Sequence, residues 1–247
     1  MVDKQGIKVP DRDKIILAFW AAVAVNLALA FVPHGDMVLY PFALLSTWAH
    51  EMGHGVTAIF VGGEFRKMEL YRNLGGVAFS TRPDNVVAPV MISAGGLLGP
   101  AIAGGFIIVL GSNAKVGRWV LEVLGVLLIV SALIWIRNPF GLGSIVTLGA
   151  VLFLIGYFAS DLIELCIVQF IGIRLCLESL SDVDYMFTKQ FERDGQIMLS
   201  DTQKIAEHLL LPYWVWGAII AVLSVVILAV AFYLAWMRTP ARRATSI

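Results

Sequence analysis

Charge is scarce in this chain. Of its 247 residues, 15% are charged, with 18 Lys and Arg balancing 18 Asp and Glu. The formal net charge of zero gives no electrostatic footprint for a nucleic-acid partner, and none is expected. Cysteine is scarcer still. Only Cys166 and Cys176 are present, both in or beside an apolar segment, so no disulfide framework is expected and their roles read as structural. Histidine occurs four times. What remains is hydrophobic: 59% of the residues, with a mean hydropathy of +0.83. A soluble domain is nearer half apolar and a quarter charged, so the composition is that of an integral membrane protein.

A membrane-crossing helix needs roughly 20 apolar residues. The apolar runs Ile15–Val32, Pro41–Val61, Val87–Leu110, Val120–Ile136, Leu142–Ala159 and Tyr213–Trp236 read as spans. Leu162–Leu180 reads as a seventh, although Glu164 and Arg174 interrupt it. The expected fold is an all-α polytopic membrane protein of six or seven transmembrane helices. A single domain fills residues 1–247 and lies in a lipid bilayer. The charged start and the "ALA" at Ala28–Ala30 mimic a signal peptide, but the long run favours an uncleaved first span. Lys4, Lys8, Arg12 and Lys14 precede the first span, and Arg66, Lys67, Arg72 and Arg82 follow the second. That bias places the N-terminus in the cytoplasm. Lys115 and Arg118 run against it, as would Arg238, Arg242 and Arg243 if there are seven spans. A single crossing by Leu142–Leu180 would relieve the latter conflict.

Glu64–Tyr71 and Val77–Thr81 flank the turn signal "NLGG" and read as a small β-hairpin after the second helix. Ser181–Leu211 is the longest polar stretch and is assigned to a cytoplasmic loop. Two short helices are expected in it, over "LSDVDYMF" and "LSDTQKIAEHLL", capped by Ser181 and by Ser200 or Asp201. In "SAGGLLGPAIAGG", Gly95, Gly99 and Ala103 share a helix face that permits close helix packing.

The second span carries "AHEMGH", which contains H-E-x-x-H. His50 and His54 lie about 40° apart on one helix face, so their ring nitrogens can converge on one Zn²⁺. Glu51 stands beside the metal and can take a proton from zinc-activated water. Zinc there still needs a third ligand and an open position. Ionisable residues within a span are costly and mark function by default.

With that motif in a span, the chain resembles the site-2 protease family of intramembrane zinc metalloproteases. "AHEMGHGVTAIFVGGEF" resembles the family's metal-binding helix, and the following hairpin its membrane-associated β element. "SAGGLLGPAIAGG" resembles the family's "AGP" helix, and "IRNPFG" its Asn-x-x-Pro region. The pair Arg137–Asn138 and the stretch Ser200–Asp201, Ile205–Ala206, Pro212 and Trp214–Trp216 resemble a divergent bacterial and plant branch. The resemblance implies an intramembrane zinc endopeptidase that cleaves a transmembrane or membrane-proximal segment of another protein. It implies residence in a bacterial cell membrane first, a plant organelle membrane second. Glu51 would be the general base, with zinc on His50, His54 and an acid.

The family's Leu-Asp-Gly, whose Asp is a zinc ligand, is absent here. The sequence after Asn138 continues "GLGSIVTLG". Asp182 ranks first as the third ligand, Asp201 second and Asp161 third. Glu164 and Asp184 are also in range, Asp184 more simply as a solvated loop charge. The resemblance gives Asn138 a contact to the substrate backbone or oxyanion. A helix end before Pro139 is the plainer reading. His34 reads as a loop residue and His208 as a helix-face residue. The missing acid also motivates a non-catalytic membrane scaffold or regulator of site-2-protease type. A prenyl-protein peptidase is a third possibility, which "SAGGLLGP" and the Asn-Pro segment disfavour.

Overall fold

The computed structural model describes residues 12–112, 114–181, 183–193 and 196–238. Lys4, Lys8, Asp182, Arg242 and Arg243 lie outside the described residues, as do the side chains of Ser181 and Asp184. The described chain is mostly helical. Helices α1 (Arg12–Phe31) and α2 (Gly35–Phe60) meet at a 119° bend. His34 makes the corner in the left-handed region, at φ 64°. Gly35 follows because a Cβ there would collide with the Leu29 carbonyl. Helix α2 therefore starts six residues before Pro41, which sits inside it.

Strands β1 (Phe65–Leu70) and β2 (Gly76–Ser80) form an antiparallel hairpin. Its turn docks on α2 where the Thr47 hydroxyl donates to the Leu74 carbonyl, 2.8 Å. Leu74 adopts φ 64°, a costly conformation for a γ-branched residue that this docking helps hold. Helices α3 (Val87–Gly111), α4 (Ala114–Trp135), α5 (Pro139–Phe158) and α6 (Asp161–Ser181) follow. The segment expected as a loop with two helices is more structured. It holds the one-turn α7 (Val183–Met186), a second hairpin of β3 (Gln190–Arg193) and β4 (Gln196–Leu199), and α8 (Asp201–His208). Helix α9 (Tyr213–Arg238) closes the described chain.

Among the described residues four helices, α3, α4, α5 and α9, are long and apolar enough to cross a membrane. The bent α1–α2 pair makes a fifth if it counts as one span. Six or seven spans are expected from sequence, and four or five helices among the described residues meet this criterion of length and composition. Helix α6 fails it for a physical reason. It carries Asp161, Glu164, Arg174 and Glu178 and packs against α1, α2, α3, α4 and α9. Arg174 pairs with Glu178 one turn on, so part of its charge is offset within the protein.

Helix α3 is the hub, and its small residues face three ways. Gly95, Gly96 and Gly99 meet α2, Gly104 meets Gly172 and Cys176 on α6, and Gly105 meets Ile227 and Ala231 on α9. Around it, Leu45, Leu121, Leu128, Ile145 and Ile171 are fully buried, together with Met68 and Leu70 of β1. The hairpin is thus part of the packed interior. Phe65 stacks on Trp135 at 5.0 Å, and the Trp135 ring nitrogen donates to the Phe65 carbonyl, 3.2 Å.

A side chain at Gly53 would run into the Gly95 carbonyl. Gly53→Val is expected to cost about 1–3 kcal/mol or more by overpacking. Size-exclusion chromatography and thermal melting in detergent should show a lower midpoint or loss of the folded species, whereas the exposed Val56→Ala should show neither.

Candidate metal centre

Helical periodicity puts His50 and His54 one above the other on α2, with Nε2 atoms 3.0 Å apart. The His54 ring lies against Gly96, where a Cβ would overlap it. Its Nδ1 lies 2.8 Å from the Ile92 carbonyl. A carbonyl only accepts, so Nδ1 carries a hydrogen and Nε2 is the nitrogen turned to the centre, which a metal would bind through its lone pair once deprotonated.

The third group comes from outside the α2–α3 pair. Asp201 Oδ2 lies 3.3 Å from His50 Nε2 and 3.2 Å from His54 Nε2. Asp201 opens α8 because Ser200 is the cap: its hydroxyl oxygen accepts from the Gln203 N–H, 3.2 Å. The cap is stitched to the segment after α7. The Ser200 hydroxyl donates to the Thr188 carbonyl and the Thr202 hydroxyl to the Met186 carbonyl. Tyr185 donates to Asp201 Oδ2, 3.0 Å, and Lys204 to Oδ1, 2.9 Å. Burial alone would push the Asp201 carboxyl up. The facing His54, the hydrogen bonds from both imidazoles and Lys204 outweigh it and hold the carboxyl well below its ordinary range. Burial, then the Asp201 charge, push the Tyr185 phenol well above its ordinary value, so it stays a donor.

These three residues could hold a metal ion. Ligand bonds of about 2.0–2.1 Å in a tetrahedron have edges of about 3.3–3.4 Å, close to the separations found. Two imidazole nitrogens and one carboxylate oxygen suit Zn²⁺. Glu51 is buried beside them and is not one of the converging groups. Its carboxylate fits only because position 76 is glycine; a Cβ there would come within 2.5 Å of Oε1.

Two cavities meet at this point. One, of about 480 Å³, runs along Ser46, Thr47, Gly75 and Glu178. The other, of about 390 Å³, is lined by Ala78, Ser80, Met198 and Asp201 and opens past Arg82 and His208. His50, Glu51, Gly76, Tyr185 and Phe191 line both.

Of the acids considered from sequence, the second-ranked Asp201 joins the two histidines. Asp182, ranked first, lies outside the described residues. Asp161 is exposed at the start of α6, and Glu164 is buried one turn on, in the field of Arg118 and Glu122; neither belongs to the cluster. Asn138 stands elsewhere, at the N-cap position of α5, where its side chain makes no cap bond. Its amide donates to the Leu70 carbonyl, 2.6 Å, and accepts from the Leu70 N–H, 3.1 Å. Both ends are thus spent on β1, and Asn138 lines neither cavity. Tyr185 and the Ile92 carbonyl carried no sequence signal. Lys204, one turn after Asp201, was readable only once Asp201 was known to matter.

The fold and site together define a polytopic integral membrane protein with a candidate two-histidine, one-carboxylate metal centre. The peptidase M50B-like family model matches residues 20–231. The chain belongs to that family, and so to the site-2 proteases. No curated protein and no solved structure matches it.

Removing the Asn138 amide would leave the N–H and carbonyl of the fully buried Leu70 each short of a partner. Asn138→Ala is therefore expected to cost about 1–3 kcal/mol for each. Thermal melting should show a lower midpoint while metal content, read by mass spectrometry, stays at the wild-type value.

Proposed function

We propose that the protein is an intramembrane zinc endopeptidase acting on a transmembrane or membrane-proximal segment of another membrane protein. The observation that carries this reading is the convergence of His50, His54 and Asp201 beside a buried Glu51, where two cavities meet. The three residues hold the metal, which when bound would activate water and polarise the scissile carbonyl. Glu51 takes the proton from the attacking water and can return it to the leaving amine. Its burial keeps bulk water away and raises the worth of its charge there.

A substrate helix hides its carbonyls in its own hydrogen bonds, so it must unwind to be cut. The outer side of β1 is covered: Met68 bridges Ile136, its carbonyl accepts from the Arg137 N–H, and Asn138 takes Leu70. That leaves β2 facing the cavity through Val77, Ala78 and Ser80. An unwound substrate would lie along β2 by strand addition, with its scissile bond between Glu51 and the metal ligands. The acid beside the two histidines supports the enzyme over the scaffold or regulator reading, which drew on the missing Leu-Asp-Gly.

Zinc per protein should be about one in detergent-purified wild type, lost in His54→Ala and Asp201→Ala, and kept in Asp161→Ala and Asp182→Ala. Loss in Asp182→Ala with retention in Asp201→Ala would instead assign the third ligand to Asp182. Glu51→Gln should keep the zinc and lower cleavage of single-span model substrates in proteoliposomes by at least about 10²-fold. Cleavage at the wild-type rate in that variant would defeat the mechanism. Gly76→Ala should also keep its zinc yet lose about tenfold in rate, because its methyl group displaces the base.

A further inference from the structure

The two oxygens of Asp201 have different surroundings. Oδ2 faces both imidazole Nε2 atoms and accepts from the Tyr185 hydroxyl. Oδ1 accepts from the Lys204 ammonium, 2.9 Å. Tyr185 is tied to Asp201 twice, since its oxygen also accepts from the Asp201 N–H, 3.2 Å. The Tyr185 ring packs edge-on to His50 at 6.4 Å and to Phe191 at 5.5 Å, which limits its swing. Lys204 reaches Oδ1 because the Ser200 cap fixes the first turn of α8, which sets the three-residue spacing.

We propose that Tyr185 and Lys204 are positioning residues that make Asp201 a one-oxygen ligand, with Lys204 keeping the second oxygen off the metal. The inference rests on the metal-centre reading above. A carboxylate can bind zinc through one oxygen or two. The two-oxygen mode raises the coordination number and crowds the position that water and the scissile carbonyl need. A hydrolytic centre benefits from suppressing it. The ammonium of Lys204 is held by the Asp201 carboxylate and repelled by a divalent cation, so attraction to a metal does not explain its place. At 43% side-chain exposure its charge is partly screened, while its hydrogen bond still occupies Oδ1. Tyr185 brings no charge. It fixes the direction of Oδ2, as outer-shell donors to ligating carboxylates do, and loss of such a donor lowers metal affinity about 10–100-fold.

The two residues therefore have different signatures. Cobalt(II) can replace zinc in the detergent-purified full chain, and its visible absorption is intense when four-coordinate and weak when five- or six-coordinate. Wild type should show the intense spectrum. Lys204→Met should weaken it several-fold as Oδ1 joins the metal, with affinity equal to wild type or higher. Lys204→Arg should restore the intense spectrum. Tyr185→Phe should bind cobalt about tenfold more weakly. A Lys204 with a merely structural role would lower affinity on removal and leave the spectrum unchanged.

An unchanged spectrum in Lys204→Met, or unchanged affinity in Tyr185→Phe, overturns the proposal. If Tyr185→Phe fails to elute as a folded species, the Lys204 variants decide alone, because that side chain is partly exposed. Absence of cobalt from a folded wild type would sink the metal centre itself and this inference with it. Cobalt in the wild type with unaltered variants would sink only the positioning roles.

Discussion

The close approach of α2 and α3 is the constraint on which the centre depends. It requires glycine at Gly53, Gly95, Gly96 and Gly99, because a side chain at any of them would meet backbone or a side chain of the opposite helix. In a bilayer, helix association gains little from the hydrophobic effect and relies on tight packing and hydrogen bonds. Here packing and chemistry use the same contact. The α3 backbone comes near enough for the Ile92 carbonyl to fix the His54 tautomer, and Gly96 leaves the ring its place. Helix α3 then carries α6 and α9 on its other small-residue faces, so the contact that shapes His54 also organises the bundle.

The first hairpin obeys a second constraint. Its strand β1 is a packed interior element, with Met68 and Leu70 fully buried. A buried strand must satisfy its backbone on both sides. Strand β2 serves one side, and Ile136, Arg137 and Asn138 serve the other. Asn138 does so as a side-chain imitation of a strand partner, one donor and one acceptor on a single residue. The Asn-Pro segment is therefore a device that seats the hairpin, and through Gly76 the hairpin sets the space left for Glu51.

This explains what was legible in the sequence. His50, Glu51 and His54 could be read because their relation is local: one helix, one face, fixed spacing. The β1–β2 hairpin was legible for the same reason, with its turn residues between short β-rich runs. Asp201 was visible only as one of several acids, since 147 residues separate it from His54 and no local period links them. The second hairpin escaped notice although Asp194–Gly195 is a two-residue turn signal, because the runs on either side of it are short and polar. The expected span Leu162–Leu180 lies within α6, where burial inside the protein competes with contact with lipid. A hydropathy run cannot distinguish these, whereas the charges of α6 can, once its neighbours are known. From sequence Asn138 could be read only as a helix end or a substrate contact, because its partner, a backbone 68 residues away, has no side-chain signature.

Two of the candidate ligands, His50 and His54, are fixed within the bundle, and the third, Asp201, arrives on α8. Asp201 is almost wholly buried and carries a charge, a combination that is unfavourable unless the charge is matched. Without the two histidines the α7–α8 segment would bury an anion with only Lys204 and Tyr185 to meet it. Without Asp201 the histidines would have each other, the Ile92 carbonyl and the nearby Glu51 to meet them in an apolar helix. Each half therefore needs the other, and a divalent cation strengthens both demands. The electrostatic cost of burying these groups is thus met by pairing them, Asp201 of α8 with His50 and His54 of α2.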